Sequence, residues 1–203
     1  LDEAKDGNIW IATQSGGVNM FSLDTASFTH YLKDLKLSIW DLKVDQQNRL
    51  WLASSNGLYV YQIEQNQSLS LLTIVQEGMN VEKITYLADK IWFKSYDNYL
   101  RWVEPISLKL QSLELSDKNI DSVTPSYLDN QQNLWLSTGA GVILYNLQSK
   151  QFKQLILNFA ENIDDISSIV ETEKAFWLSS LSQGVLKLDK DTFQVIGHLS
   201  KAN

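Results

Sequence analysis

The sequence predicts an all-β fold: a β-propeller of four-stranded antiparallel blades, with five repeats present. Three observations carry that expectation. Tryptophan recurs at Trp10, Trp51, Trp92, Trp135 and Trp177, at intervals of 41, 41, 43 and 42 residues. Each stands in the same local phrase, from Asn8-Ile9-Trp10-Ile11-Ala12-Thr13 to Ala175-Phe176-Trp177-Leu178-Ser179-Ser180. Between successive tryptophans lie strand-length apolar runs divided by polar turns. A fixed period in the forties, built from such runs, marks propeller blades.

The second repeat shows the plan. Ser38 to Asp45 is an apolar-rich run, and Gln46-Gln47-Asn48 breaks it. Arg49 to Ser54 bears the Trp, and Ser55-Asn56-Gly57 is a hairpin turn with a residue suited to positive φ. Leu58 to Ile63 and Leu69 to Val75 supply two further strands. Many runs are continuously apolar, as in Leu58-Tyr59-Val60-Tyr61 and Val142-Ile143-Leu144-Tyr145. A sheet covered on both faces reads this way, and stacked blades cover both faces. An apolar or aromatic residue follows each Trp by 10 or 11 places: Phe21, Tyr61, Trp102, Tyr145 and Leu188. Pro125 falls in the first strand of the fourth repeat, where only an edge strand tolerates a lost ladder hydrogen bond.

The repeats divide at about 1–36, 37–78, 79–119, 120–162 and 163–203. The opening Leu1-Asp2-Glu3-Ala4 reads as the tail of an inner strand. Five blades either close a ring or form a slice of a larger propeller. A slice exposes broad apolar faces, so it is expected to form a homodimer or to be covered by further blades.

Composition narrows the chemistry. Hydrophobic residues make up 44% of the chain, ample for a core. There is no cysteine, so disulfides, thiolate metal sites and cysteine nucleophiles are excluded. The net charge of −7, with no basic stripe, argues against nucleic acid and anionic membrane surfaces. No apolar stretch reaches the roughly 20 residues of a membrane-spanning helix.

The phrase from Asp6 to Phe21 resembles the two-component regulator propeller repeat: an Asp-Gly turn, apolar-Trp-apolar, a small residue, Thr, a Gly turn, then an aromatic. Asp129 to Tyr145 is similar, and Asn48 to Tyr61 fits acceptably. Repeats three and five depart from it: Lys94 replaces the small residue, Tyr96-Asp97-Asn98 lacks Gly, and Leu188 replaces the aromatic. The resemblance implies a sensory, non-catalytic, periplasmic module of a membrane-anchored protein whose output part is a histidine kinase or a diguanylate cyclase. Propellers of that family are usually seven-bladed.

The repeat tryptophans are expected to be wedges between blades, where one aromatic buries about 150–250 Å². Trp40 stands outside the repeat position, beside Asp41, at the start of an inner strand. Asp41, Glu82, Asp121, Asp164 and Asp165 all fall near inner-strand starts, where a closed ring gathers them at one channel mouth. Trp40 with these carboxylates is the candidate ligand site, for a cation, an amine or a stacking ligand; the plainer reading is a solvated acidic rim. His30 and His198 hold equivalent places in repeats one and five, and a metal or pH-sensing pair there is a remote reading. No metal-ligand spacing, phosphate loop or nucleophile turn recurs, so the segment is expected to be no enzyme and to carry no metal or cofactor. The expected partner is a small ligand or another protein. An interaction scaffold, and more remotely a propeller lyase or hydrolase, are the alternatives.

Overall fold

The computed structural model describes residues 1–115, 120, 122–139, 141–157 and 166–200. Among the described residues every regular element is a strand. Twenty strands form five four-stranded antiparallel sheets, each a chain-order meander or its mirror, as the repeats predict. Blade one is β1 (Asp2–Glu3), β2 (Ile9–Thr13), β3 (Gly17–Ser22) and β4 (Ser27–Tyr31). Blade two is β5 (Ile39–Val44), β6 (Arg49–Ser54), β7 (Gly57–Ile63) and β8 (Leu69–Val75). Blade three is β9 (Ile84–Leu87), β10 (Lys90–Phe93), β11 (Tyr99–Glu104) and β12 (Lys109–Glu114). Blade four is β13 (Val123–Leu128), β14 (Asn133–Thr138), β15 (Gly141–Asn146) and β16 (Phe152–Leu155). Blade five is β17 (Ile166–Glu171), β18 (Ala175–Ser180), β19 (Gly184–Asp189) and β20 (Val195–Leu199).

The chain divides into two compact units, Leu1–Lys94 with Arg101–Ser112 and Ser95–Leu100 with Leu113–Asn203. In the first unit the tryptophans set the stacking rule. Trp10 shares one core cluster with Leu50, Leu52, Tyr59 and Tyr61 of blade two. Trp51 shares another with Ile84, Ile91, Phe93 and Val103 of blade three. Trp10 and Trp51 thus point at the blade that follows each, while the residues flanking Trp51 and Trp92 point back. The alternation of a strand makes this necessary: neighbours in sequence face opposite sides. Backbone amides are also tied across blades. Asp2 Oδ2 accepts from Val44 N at 2.8 Å, and Asp41 Oδ2 accepts from Ile84 N at 3.1 Å.

The second unit obeys the same rule. Trp135 meets Phe176 of blade five at 4.6 Å between ring centroids, within a cluster that includes Leu178, Leu186 and Leu188. Ser137 Oγ accepts from Ile166 N at 3.2 Å. Pro125 lies in β13, an edge strand with an irregular register between Pro125 and Tyr127. That agrees with the expectation that only an edge would take it.

One expectation is corrected. Trp10, Trp51, Trp92 and Trp135 are buried, but Trp177 is only half-buried. Phe176 and Leu178 turn back to blade four and are buried. Trp177 lies on the other face, where Lys187 pairs across from it and sets its ammonium over the indole at 5.2 Å.

Candidate functional site

The pairing of β5 with β6 jumps from Ile39↔Ser54 to Asp41↔Ala53, so Trp40 is the extra residue of a β-bulge. A bulge re-aims a side chain that regular alternation would place elsewhere. Trp40 is 41% exposed, while Ile39 and Leu42 on either side are buried. Its indole N–H donates to Asn80 Oδ1 at 3.0 Å. Asn80 Nδ2 in turn donates to Glu82 Oε1 at 3.0 Å. Lys94 Nζ approaches the other oxygen, Glu82 Oε2, at 3.5 Å. The first unit therefore carries a connected surface array: an open indole face, an amide, a carboxylate and an ammonium. Such an array has the chemistry to stack on a planar or ring-shaped ligand and to hydrogen-bond to a polar edge. The Glu82–Lys94 pair is partly exposed and is worth at most about 1 kcal/mol, so its geometry is easily reorganised by a ligand.

Of the expected site residues, Trp40 and Glu82 are joined through Asn80. Asp41 is placed differently: one oxygen accepts from Leu42 N at 2.9 Å and the other from Ile84 N. It acts as a strut between blades two and three. Asp121, Asp164 and Asp165 lie outside the described residues. His30 bonds Asn19 within blade one, and His198 Nε2 lies 2.6 Å from Gln183 O within blade five. Among the described residues no group of three His, Cys, Asp or Glu side chains is arranged to hold a metal.

Two carboxylates that sequence reasoning passed over have strong structural roles. Asp45 accepts the indole N–H of Trp51 at 2.7 Å and pairs with the Arg49 guanidinium at 2.6 Å. Asp129 accepts from Trp135 Nε1 at 3.0 Å and from the amides of Gln131 and Asn133. Both stand six residues before their Trp, a spacing that was there to be read. Glu171 stands at that spacing in blade five but turns to blade four. It accepts from Tyr127 Oη at 3.0 Å and pairs with Lys190 at 2.6 Å. Burial pushes its carboxyl up, but Lys190, Tyr127 and the Asn130 amide outweigh burial and hold it below the ordinary value. Burial, reinforced by Glu171, pushes the Tyr127 phenol up to about 12.

A polar recess of about 730 Å³ lies at the opposite end of β5, between turns of blades two and three. Gln46, Gln47, Tyr86, Asp89, Lys90 and Glu104 line it. Lys90 pairs with Glu104 at 2.9 Å and, with Trp102, holds that carboxyl below its ordinary value against the opposing effect of burial.

No family model matches the chain, and no curated protein matches it in sequence. Solved structures do match its fold. The extracellular domain of a putative hybrid two-component system from B. thetaiotaomicron superposes with a TM-score of 0.66 at 18% identity, over 98% of this chain and 28% of that one. A catalytically inactive virginiamycin B lyase from Staphylococcus aureus, solved with quinupristin, gives 0.71 at 13% identity, over 93% of this chain and 65% of that one. PorZ, a surface component of the type-IX secretion system of Porphyromonas gingivalis, gives 0.76 at 11%, over 100% of this chain and 34% of that one. At these identities the likeness is one of fold. The chain spans from 28% to 65% of the length of these three relatives.

Proposed function

We propose that this chain is a non-catalytic, ligand-binding propeller segment of a bacterial membrane-anchored signalling protein, working outside the cytoplasm. The repeat phrase carries the proposal: Asp6 to Phe21 and Asp129 to Tyr145 follow the two-component regulator propeller pattern, and both fold as the second and third strands of a blade. The shared fold with an extracellular two-component domain supports it. The ligand seat is the Trp40–Asn80–Glu82–Lys94 array, because it joins an exposed aromatic face to hydrogen-bonding groups of both signs. Occupancy there bears directly on the contact of blades two and three, since Trp40 adjoins the Asp41 strut. The lyase fold-relative keeps an enzymatic reading in view, but Glu82 is already bonded to an amide and an ammonium, an arrangement suited to holding rather than to proton transfer.

The test has two arms. The flanking gene sequence should encode a membrane helix joined to a kinase or cyclase domain; a free cytosolic propeller contradicts the signalling assignment. A thermal-shift screen of small polar ligands should give a Tm rise that Trp40→Ala and Glu82→Gln abolish. A rise lost instead in Asp89→Asn moves the seat to the recess and overturns the Trp40 assignment.

A further inference from the structure

Two backbone contacts hold the strip that runs from Trp40 to Lys94. Val81 is buried, and its N–H donates to Ser54 O at 2.9 Å. That anchor fixes the neighbouring Asn80 at the surface, where its oxygen takes the Trp40 indole N–H and its Nδ2 donates to Glu82. The β9–β10 ladder ends at the Phe93↔Ile84 pair, and Lys94 N donates to Lys83 O just beyond it at 3.0 Å. Lys94 is thereby set beside the segment that carries Glu82, and its ammonium stands 3.5 Å from Glu82 Oε2.

Within this strip one carboxylate faces one ammonium, and that selects among ligands. The Glu82–Lys94 contact is long for an ion pair, and the two side chains are 39% and 27% exposed, so parting them costs little. A cationic ligand that takes Glu82 meets Lys94 as a like charge. An anionic ligand that takes Lys94 meets Glu82 in the same way. An uncharged ligand has nothing to exchange for the pair. A zwitterion replaces the one weak pair by two, its ammonium on Glu82 and its carboxylate on Lys94. Asn80 serves both ends: a carboxamide oxygen has a second lone pair for an ammonium, and its nitrogen a second N–H for a carboxylate. The bulged Trp40 supplies an apolar platform for the remainder of the ligand.

We infer that this seat takes a free α-amino acid with an apolar or aromatic side chain. Its two charged groups hang on one carbon and so lie as close together as Glu82 and Lys94 do, and its side chain stacks on the indole. This rests on the Trp40 array being the ligand seat and adds the chemical class of the occupant.

Isothermal titration calorimetry of the folded chain with L-phenylalanine, phenethylamine and 3-phenylpropanoate provides the test. The three share one ring; the second lacks the carboxylate and the third the ammonium. Phenylalanine should bind, and each analogue should bind roughly fivefold more weakly, as the loss of one exposed ion pair of about 1 kcal/mol implies. Lys94→Gln should bring phenylalanine down to the level of phenethylamine and leave phenethylamine unweakened, a change of selectivity that a merely structural role does not produce. Circular dichroism checks the fold of each variant, and the comparison of probes on the unmodified chain needs no variant. An analogue that binds as well as phenylalanine, with the response lost in Trp40→Ala, keeps the seat and overturns the amino-acid class. So does an absence of heat with phenylalanine at millimolar concentration, or a Lys94→Gln chain that weakens both probes alike. Phenylalanine binding that survives Trp40→Ala overturns the seat itself.

Discussion

The indole N–H of Trp51 and the carboxylate of Asp45, six residues earlier, meet at 2.7 Å inside the blade. The same pair recurs as Trp135 and Asp129 at 3.0 Å. The carboxylate closes the turn before the Trp strand and fixes the depth of the wedge, so one side chain connects local turn chemistry to blade packing.

The two aspartates differ in what they leave behind when removed. Asp45→Ala strands the Arg49 guanidinium, which is buried and also donates to Pro105 O at 2.6 Å. Loss of one partner of a buried ion pair costs about 3–5 kcal/mol. Asp129→Ala leaves only neutral donors unmet, at about 1–3 kcal/mol. Urea denaturation of both variants should rank Asp45→Ala as the more damaging.

Trp40 and Trp51 should separate binding from stability. Trp51 is fully buried, so Trp51→Ala is expected to cost about 3–5 kcal/mol. Trp40→Ala, at an exposed bulge, should cost less than about 1 kcal/mol while removing ligand response. Equilibrium unfolding beside the thermal-shift assay checks both outcomes.

Glycine geometry gives a third test. Gly184 has φ +79°, and a Cβ there would sit 2.3 Å from Leu199 O. Gly78 has φ +84°, but a Cβ there would meet nothing within 4 Å. Gly78→Ala should cost about 1–2 kcal/mol from backbone conformation alone. Gly184→Ala adds a backbone clash and should cost about 3 kcal/mol or more. Similar losses for the two variants, by thermal melting, contradict the β19–β20 register.

The Tyr127–Glu171–Lys190 cluster predicts pH dependence at both ends. The folded pKa of Glu171 is depressed, so its stabilisation is present above the unfolded value of about 4.3 and is lost as pH falls through the folded value. The folded pKa of Tyr127 is raised to about 12, so its contribution is present below about 10 and is lost as pH rises from there through about 12. Glu171→Gln should flatten the acid side of the stability profile, and Tyr127→Phe should remove the late phenol from an ultraviolet titration.

Much of this was legible in the sequence because a propeller repeats its physics. The period, the strand runs and the turns place all five sheets, and Pro125 marks an edge strand correctly. The bulge at Trp40 was not legible: it depends on how β5 pairs with β6, and no residue type announces it. Asp41 reads as a channel-mouth ligand residue or, more plainly, as part of a solvated rim, yet its oxygens serve two backbone amides, because a carboxylate at a strand start meets the next blade as readily as solvent. Trp177 stands in the same apolar-Trp-apolar core as its counterparts, although its repeat departs from the phrase at Leu188. It is only half-buried, and across from it stands Lys187, where blades one, two and four set Met20, Val60 and Leu144.

Residue-resolved tryptophan accessibility tests the stacking rule most directly. Hydroxyl-radical footprinting with mass spectrometry on the folded chain should protect Trp10, Trp51, Trp92 and Trp135 while oxidising Trp40 and Trp177. Oxidation spread evenly over the repeat positions, or a Trp177 as protected as the other four, contradicts a stack in which Trp10, Trp51 and Trp135 are each covered by the blade that follows.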